Sequence, residues 1–130
     1  MTKQFQINIP VTITEEQIEN IIIGALEGGS NYWYMIGEGI PPQDESGRTM
    51  SERIAHEIIN NPEFKLAIHD LEDEEGEPLG YLTQEGMIKA FEIVASNYNW
   101  HYQNLINEDD DAETHDVFFQ CAVMGEIVFG

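Results

Sequence analysis

Basic residues are nearly missing from this 130-residue chain. Lys3, Arg48, Arg53, Lys65 and Lys89 stand against 25 Asp and Glu, a formal net charge of −20 at pH 7 with neutral histidines. Binding to nucleic-acid phosphates depends on Lys and Arg displacing counterions, so DNA and RNA are excluded as direct ligands. The same repulsion disfavours anionic membranes and phosphate-rich ligands. With one cysteine, Cys121, the chain has no internal disulfide framework, which suits a reducing compartment. The opening residues lack the basic and apolar regions of a secretory signal, and no apolar run approaches the roughly 20 residues that span a bilayer. A cytoplasmic protein without a membrane partner is expected.

What the chain does contain is apolar patterning. A hydrophobic fraction of 42% with 10% aromatics is too high for a disordered acidic tail. One acidic globular domain over residues 1–130 is expected, without repeats or linkers.

Phe5, Ile7, Ile9, Val11 and Ile13 alternate with polar residues or Pro10, which predicts a strand. Pro10 cannot donate to a ladder and places that strand at a sheet edge. Thr14 with Gln17 forms a capping box ahead of Ile18, Ile21, Ile22, Ala25 and Leu26, and Gly28-Gly29 stops the helix. An aromatic stretch (Tyr32, Trp33, Tyr34) and a Gly/Pro loop follow. Thr49 with Glu52 repeats the capping box for a helix ending at Asn60-Asn61-Pro62. Phe64, Leu66 and Ile68, then Leu79 to Leu82, read as the two arms of a hairpin across an acidic turn. Thr83 caps a long helix over about 84–106, with an apolar stripe through Met87, Phe91, Val94, Tyr98, Tyr102 and Leu105. The segment from Ala112 is apolar nearly all round, the pattern of a central helix. The fold class is α+β: about four helices and a small antiparallel sheet of about three strands.

No catalytic, metal or cofactor site emerges. His56, His69, His101 and His115 have no ligand-spaced partner, and no serine lies in a nucleophile-elbow context. Cys121 falls in an apolar helical segment, where a thiol is inert packing. The acidic runs lack EF-hand spacing.

The acids themselves remain. Asp70, Glu72, Asp73, Glu74, Glu75 and Glu77 make one cluster; Glu108, Asp109, Asp110, Asp111, Glu113 and Asp116 make another, together about half of the 25. Each cluster leads into a helix, where the macrodipole tolerates negative charge. Few cations are present to neutralise them, and the self-repulsion costs stability. Carboxylates displayed in this way compete for a basic nucleic-acid-binding groove. Tyr32 and Trp33 are either hot-spot anchors beside the charge or core residues. Trp100 lies off the apolar stripe and either packs on a neighbouring helix or marks an interaction surface.

Two segments carry a family resemblance. Ala25-Leu26-Glu27-Gly28-Gly29-Ser30-Asn31-Tyr32-Trp33-Tyr34 and the closing stretch from Asp111 to Gly130 resemble small acidic proteins encoded by bacteriophages and other bacterial mobile elements. The resemblance runs from about Thr14 to the C-terminus and carries over no catalytic residues. It implies a bacterial host cytoplasm and, by analogy, a non-enzymatic DNA mimic that inhibits a restriction or CRISPR-type defence by binding a basic nucleic-acid-binding host protein. The alternatives are a small-ligand-binding or sequestering protein, with Gly28 to Trp33 as a pocket wall, and a virion assembly protein.

Overall fold

The computed structural model describes residues 2–130 and is α+β, with five α-helices and one three-stranded antiparallel sheet among those residues. Helix α1 (Glu15–Gly24) starts at the expected Thr14–Gln17 capping box and runs into a π-helical turn (Ala25–Gly29). Strand β1 (Tyr34–Ile36) follows, and then a long loop reaches α2 (Met50–Asn60), whose Thr49–Glu52 capping box also forms. The hairpin of β2 (Lys65–Asp70) and β3 (Gly80–Thr83) has the acidic turn at its tip.

Helices α3 (Gln84–Asn97), α4 (Asn99–Ile106) and α5 (Ala112–Met124) complete the chain. In the sheet, β2 is central: Tyr34 faces Asp70 on one side and Lys65 faces Thr83 on the other. No helix of the described residues is long and apolar enough to cross a membrane.

Helix α5 organises the packing. It lies against α1, α3 and β3, and Phe118 and Phe119 are fully enclosed. Ile21, Ile22, Ile54, Ile58, Leu66, Ile68, Leu82, Met87 and Val94 fill the space around it. Burying each such side chain contributes about 1.5–3 kcal/mol before conformational entropy is charged against it. Because α5 is surrounded, its polar residues Thr114, Asp116 and Gln120 are buried as well.

Two elements depart from the sequence reading. Residues 5–13 do not form a strand; Phe5 is 87% exposed and Ile9 70%. The alternation identifies a face, but a strand also needs a neighbour to receive its backbone groups, and none is supplied among the described residues. The third strand is instead Tyr34–Ile36, inside the aromatic stretch.

The long helix is also split at Tyr98, whose backbone (φ −134°, ψ 48°) leaves the helical region. The Asn99 side-chain amide donates to the Ala95 carbonyl at 3.1 Å, satisfying a carbonyl that helix continuation would otherwise occupy. That break makes five helices where four were expected.

Adjacent glycines give a direct test of the packing between the π-helical turn and α5. A Cβ on Gly29 would strike the Ala112 carbonyl, whereas one on Gly28 meets nothing. Gly29→Ala is expected to lower stability by about 1–3 kcal/mol. Gly28→Ala is expected to leave it unchanged or raise it by up to about 1 kcal/mol. Urea denaturation of the two variants checks the contrast.

Candidate functional site

Of the 25 acidic side chains, Asp116 alone is buried, at 6% exposure. Position 116 lies on the first turns of α5, facing the segment that leaves the π-helical turn. The close approach of Gly29 to Ala112 brings that segment within reach. Ser30 Oγ (2.7 Å) and Trp33 Nε1 (2.8 Å) donate to Asp116 Oδ1. Tyr32 OH (2.5 Å) and Gln120 Nε2 (3.0 Å) donate to Oδ2. Four neutral donors thus satisfy a buried carboxylate that has no Lys or Arg ion pair.

Gln120 extends the network to the closing residues. Its Oε1 accepts the amides of Val128 and Phe129, both at 2.9 Å, and its Nε2 donates to the Phe129 carbonyl at 3.0 Å. The Phe129 ring then stacks on Trp33, with centroids 5.0 Å apart and planes within 11°. The four bonds to the Asp116 carboxylate are charge-assisted, stronger than the neutral bonds of Gln120, and hold their donors in place.

Burial and the Asp116 hydrogen bond and charge push the Tyr32 hydroxyl up to about 12. Burial, and to a lesser degree the charge of Glu27, raises Tyr34, whose hydroxyl donates to the Leu26 carbonyl at 2.6 Å. Burial likewise takes the Cys121 thiol up to about 12, so it is no nucleophile at neutral pH.

The three expected aromatic anchors and Asp116 therefore separate into three groups. Trp33, at 2% exposure, and Asp116 belong to the interior and are corrected from candidate surface residues to core. Tyr32 is half-exposed, with its hydroxyl tied inward. Trp100 stands out from α4 at 65% exposure, its ring tilted against His101.

The two acidic clusters occupy separate elements. On the hairpin turn, Asp70 Oδ1 accepts the Glu72 amide at 2.9 Å, while Glu72, Asp73, Glu74, Glu75 and Glu77 are exposed. In the other cluster, Asp111 caps α5 by accepting the Thr114 amide at 2.9 Å, and that bond holds its carboxyl below the usual carboxylate range. Asp110 lies 2.6 Å from His115 Nε2. Glu108, Asp109 and Glu113 stay exposed without such tasks.

Among the described residues the one ion pair of a Lys or Arg is Lys89 with Glu85, at 3.0 Å on the surface. The acidic display is thus essentially unneutralised by fixed cations. No group of three or more His, Cys, Asp or Glu side chains converges on a common point among the described residues.

Beside the network lies a groove of about 530 Å³, bordered by Gly28, Gly29, Tyr32, Glu113, Ile127 and Phe129 among others. No Lys or Arg contributes to its wall, so a phosphorylated ligand would meet Glu113 and Asp116 with only the His101 imidazole opposite them. Sequence reasoning missed Ser30 and Gln120. The signal for Gln120 was its place one turn after Asp116 on a helix apolar on every face. Comparison of the chain with protein-family models, curated proteins and solved structures found no match.

Asp116→Ala leaves the buried donors of Ser30, Trp33 and Gln120 without an acceptor, and a loss of about 3–5 kcal/mol in urea unfolding is expected. A separate test is alkaline. The unfolded chain loses the Tyr32 proton near 10 and the folded chain near 12, so the stability this residue contributes is complete below pH 10 and declines as pH rises towards 12. Tyr32→Phe is expected to reduce that decline, with Tyr34 and the buried Cys121 thiol supplying what remains. Urea midpoints followed from neutral pH upward measure the difference.

Proposed function

We propose that this chain is a non-enzymatic phage or mobile-element protein, acting in the bacterial cytoplasm, that binds a basic surface of a nucleic-acid-binding host protein. Within that reading it is a DNA mimic that inhibits a restriction or CRISPR-type defence. The observation carrying the proposal is the unneutralised acidic surface: a charge of −20 and, among the described residues, a single Lys or Arg ion pair. Self-repulsion of this size opposes compaction. Pairing with a basic groove relieves it and speeds encounter through electrostatic steering.

The hairpin turn from Glu72 to Glu77 offers the densest display, with Glu108, Asp109 and Glu113 as a second patch. Trp100, exposed on α4, is an aromatic available to anchor a contact. A sequestering role for a phosphorylated small ligand is less well supported, because the groove beside Tyr32 has no Lys or Arg on its wall and carries Glu113 and Asp116.

Capture of a partner from a bacterial lysate, followed by displacement with duplex DNA, identifies the competitor relationship. Affinity for that partner is expected to fall steeply with added salt. Neutralising Glu72, Asp73, Glu74, Glu75 and Glu77 together as their amides should weaken binding by on the order of tenfold or more. Arg48→Ala and Arg53→Ala should leave it unchanged. Salt-independent affinity, or a partner that duplex DNA does not displace, would contradict the mimic reading.

A further inference from the structure

Residues 2–13 are the part of the molecule the fold does not use. Among the described residues, no backbone amide or carbonyl in this stretch is hydrogen-bonded. Phe5, Ile7, Ile9 and Val11 are nevertheless spaced for one face of a strand and are all well exposed. The inner end is anchored: Ile13 packs on the core and Thr14 caps α1. Ile9 and Val11 border a groove of about 340 Å³ whose far wall is Ile88, Phe91, Ala95 and Tyr102, with Glu92 at its rim. An extended arm with unpaired ladder groups and an apolar face is a template for another strand.

Charge selects what can occupy it. Residues 2–14 contain one lysine and no Asp or Glu, and residues 93–107, which include α4, contain no Asp, Glu, Lys or Arg and one histidine, His101. Elsewhere two copies of a −20 protein repel each other. At the arm and α4 they meet surfaces without like charge, and Glu92 is the one acid lining the groove.

The arm is also nearly palindromic in chemistry. Set antiparallel to itself about Asn8, it places Phe5 opposite Val11, Ile7 opposite Ile9 and Asn8 opposite Asn8, with Gln4 against Thr12 and Gln6 against Pro10. In an antiparallel pair, alternate residues point their backbone groups at the partner. If the odd-numbered residues do so, Pro10 falls at an outward position where a missing N–H costs no ladder bond. Centring the pair on Ile7 would set Val11 against Lys3. Centring it on Ile9 would need Ile13, which the protomer's own core already holds.

We infer that residues 4–12 form an antiparallel two-stranded ribbon with the same residues of a second copy, making an isologous dimer. The apolar face of the ribbon lies over the α3 and α4 walls that Ile9 and Val11 already border. That cover is what a two-stranded ribbon requires, since it is marginal alone in water. The hairpin turn lies on another element and stays free, while Glu108 and Asp110 border Thr14 at the arm's anchored end.

Cysteine crosslinking of the full chain tests both the dimer and its register. Directly opposed residues at a non-hydrogen-bonded position have Cα atoms about 4.5 Å apart, within disulfide range. Asn8→Cys is therefore expected to give a covalent dimer under mild oxidation. Gln4→Cys, which faces position 12 rather than itself, should remain monomeric, and Cys121 is buried and should not contribute.

In sedimentation equilibrium, the unmodified chain should dimerise more tightly as salt rises, because screening weakens the repulsion between copies. Ile7→Glu should weaken the dimer by roughly tenfold or more while circular dichroism stays unchanged. A monomer at every salt concentration, with no Asn8→Cys crosslink, would overturn the inference and leave the arm to a different protein or to none. Equal crosslinking of Gln4→Cys and Asn8→Cys would overturn the register and with it the ribbon.

Discussion

A carboxylate buried with no Lys or Arg beside it is tolerable only while its hydrogen-bond donors stay in place. Asp116 imposes that condition on three separate stretches of chain. The segment carrying Ser30, Tyr32 and Trp33 has to leave the π-helical turn at the height of α5 residue 116. Helix α5 has to present Gln120 one turn further on, and the closing residues have to fold back so that Val128 and Phe129 meet Gln120. Losing any one of them exposes a charge that low-dielectric surroundings penalise heavily. The same geometry fixes Trp33 between Phe119 and Phe129, joining the polar network to the aromatic core.

The remaining carboxylates follow the opposite rule. All are at least partly exposed, and those on the hairpin turn and in the residue 108–113 patch have few partners of opposite sign. One acid is built into the interior with every oxygen satisfied, while the others keep their hydration. Their mutual repulsion destabilises the monomer, and under the proposed function a basic host surface relieves it. The acid-free arm and α4 form a third zone, where another copy can approach.

Local chemistry was legible in the sequence wherever the signal was short-range. Thr14 with Gln17, Thr49 with Glu52 and Thr83 ahead of Gly86 are caps whose hydrogen bonds span three residues, and all three form. The hairpin was readable because both arms and the turn lie within one short stretch. Long-range requirements were not. The alternation from Phe5 to Val11 shows a face but cannot show that a partner strand is missing. Tyr98 carries an apolar ring at helical spacing, and the break there depends on the Asn99 side chain competing for Ala95.

Asp116 follows a run of acids in sequence and was grouped with them. The deciding fact was the helix it belongs to. A helix apolar on all sides buries its polar residues along with the rest, so Thr114, Asp116 and Gln120 had to be read as interior.

Hydrogen exchange observed by NMR tests most directly whether Asp116 holds these segments together. The Trp33 indole Nε1–H and the Val128 and Phe129 amides should exchange in the slowest class, together with the amides of α5, while the exposed Trp100 indole exchanges close to the rate of a free side chain. Exchange of the Trp33 indole as fast as that of Trp100, with the α5 amides still protected, would contradict the account.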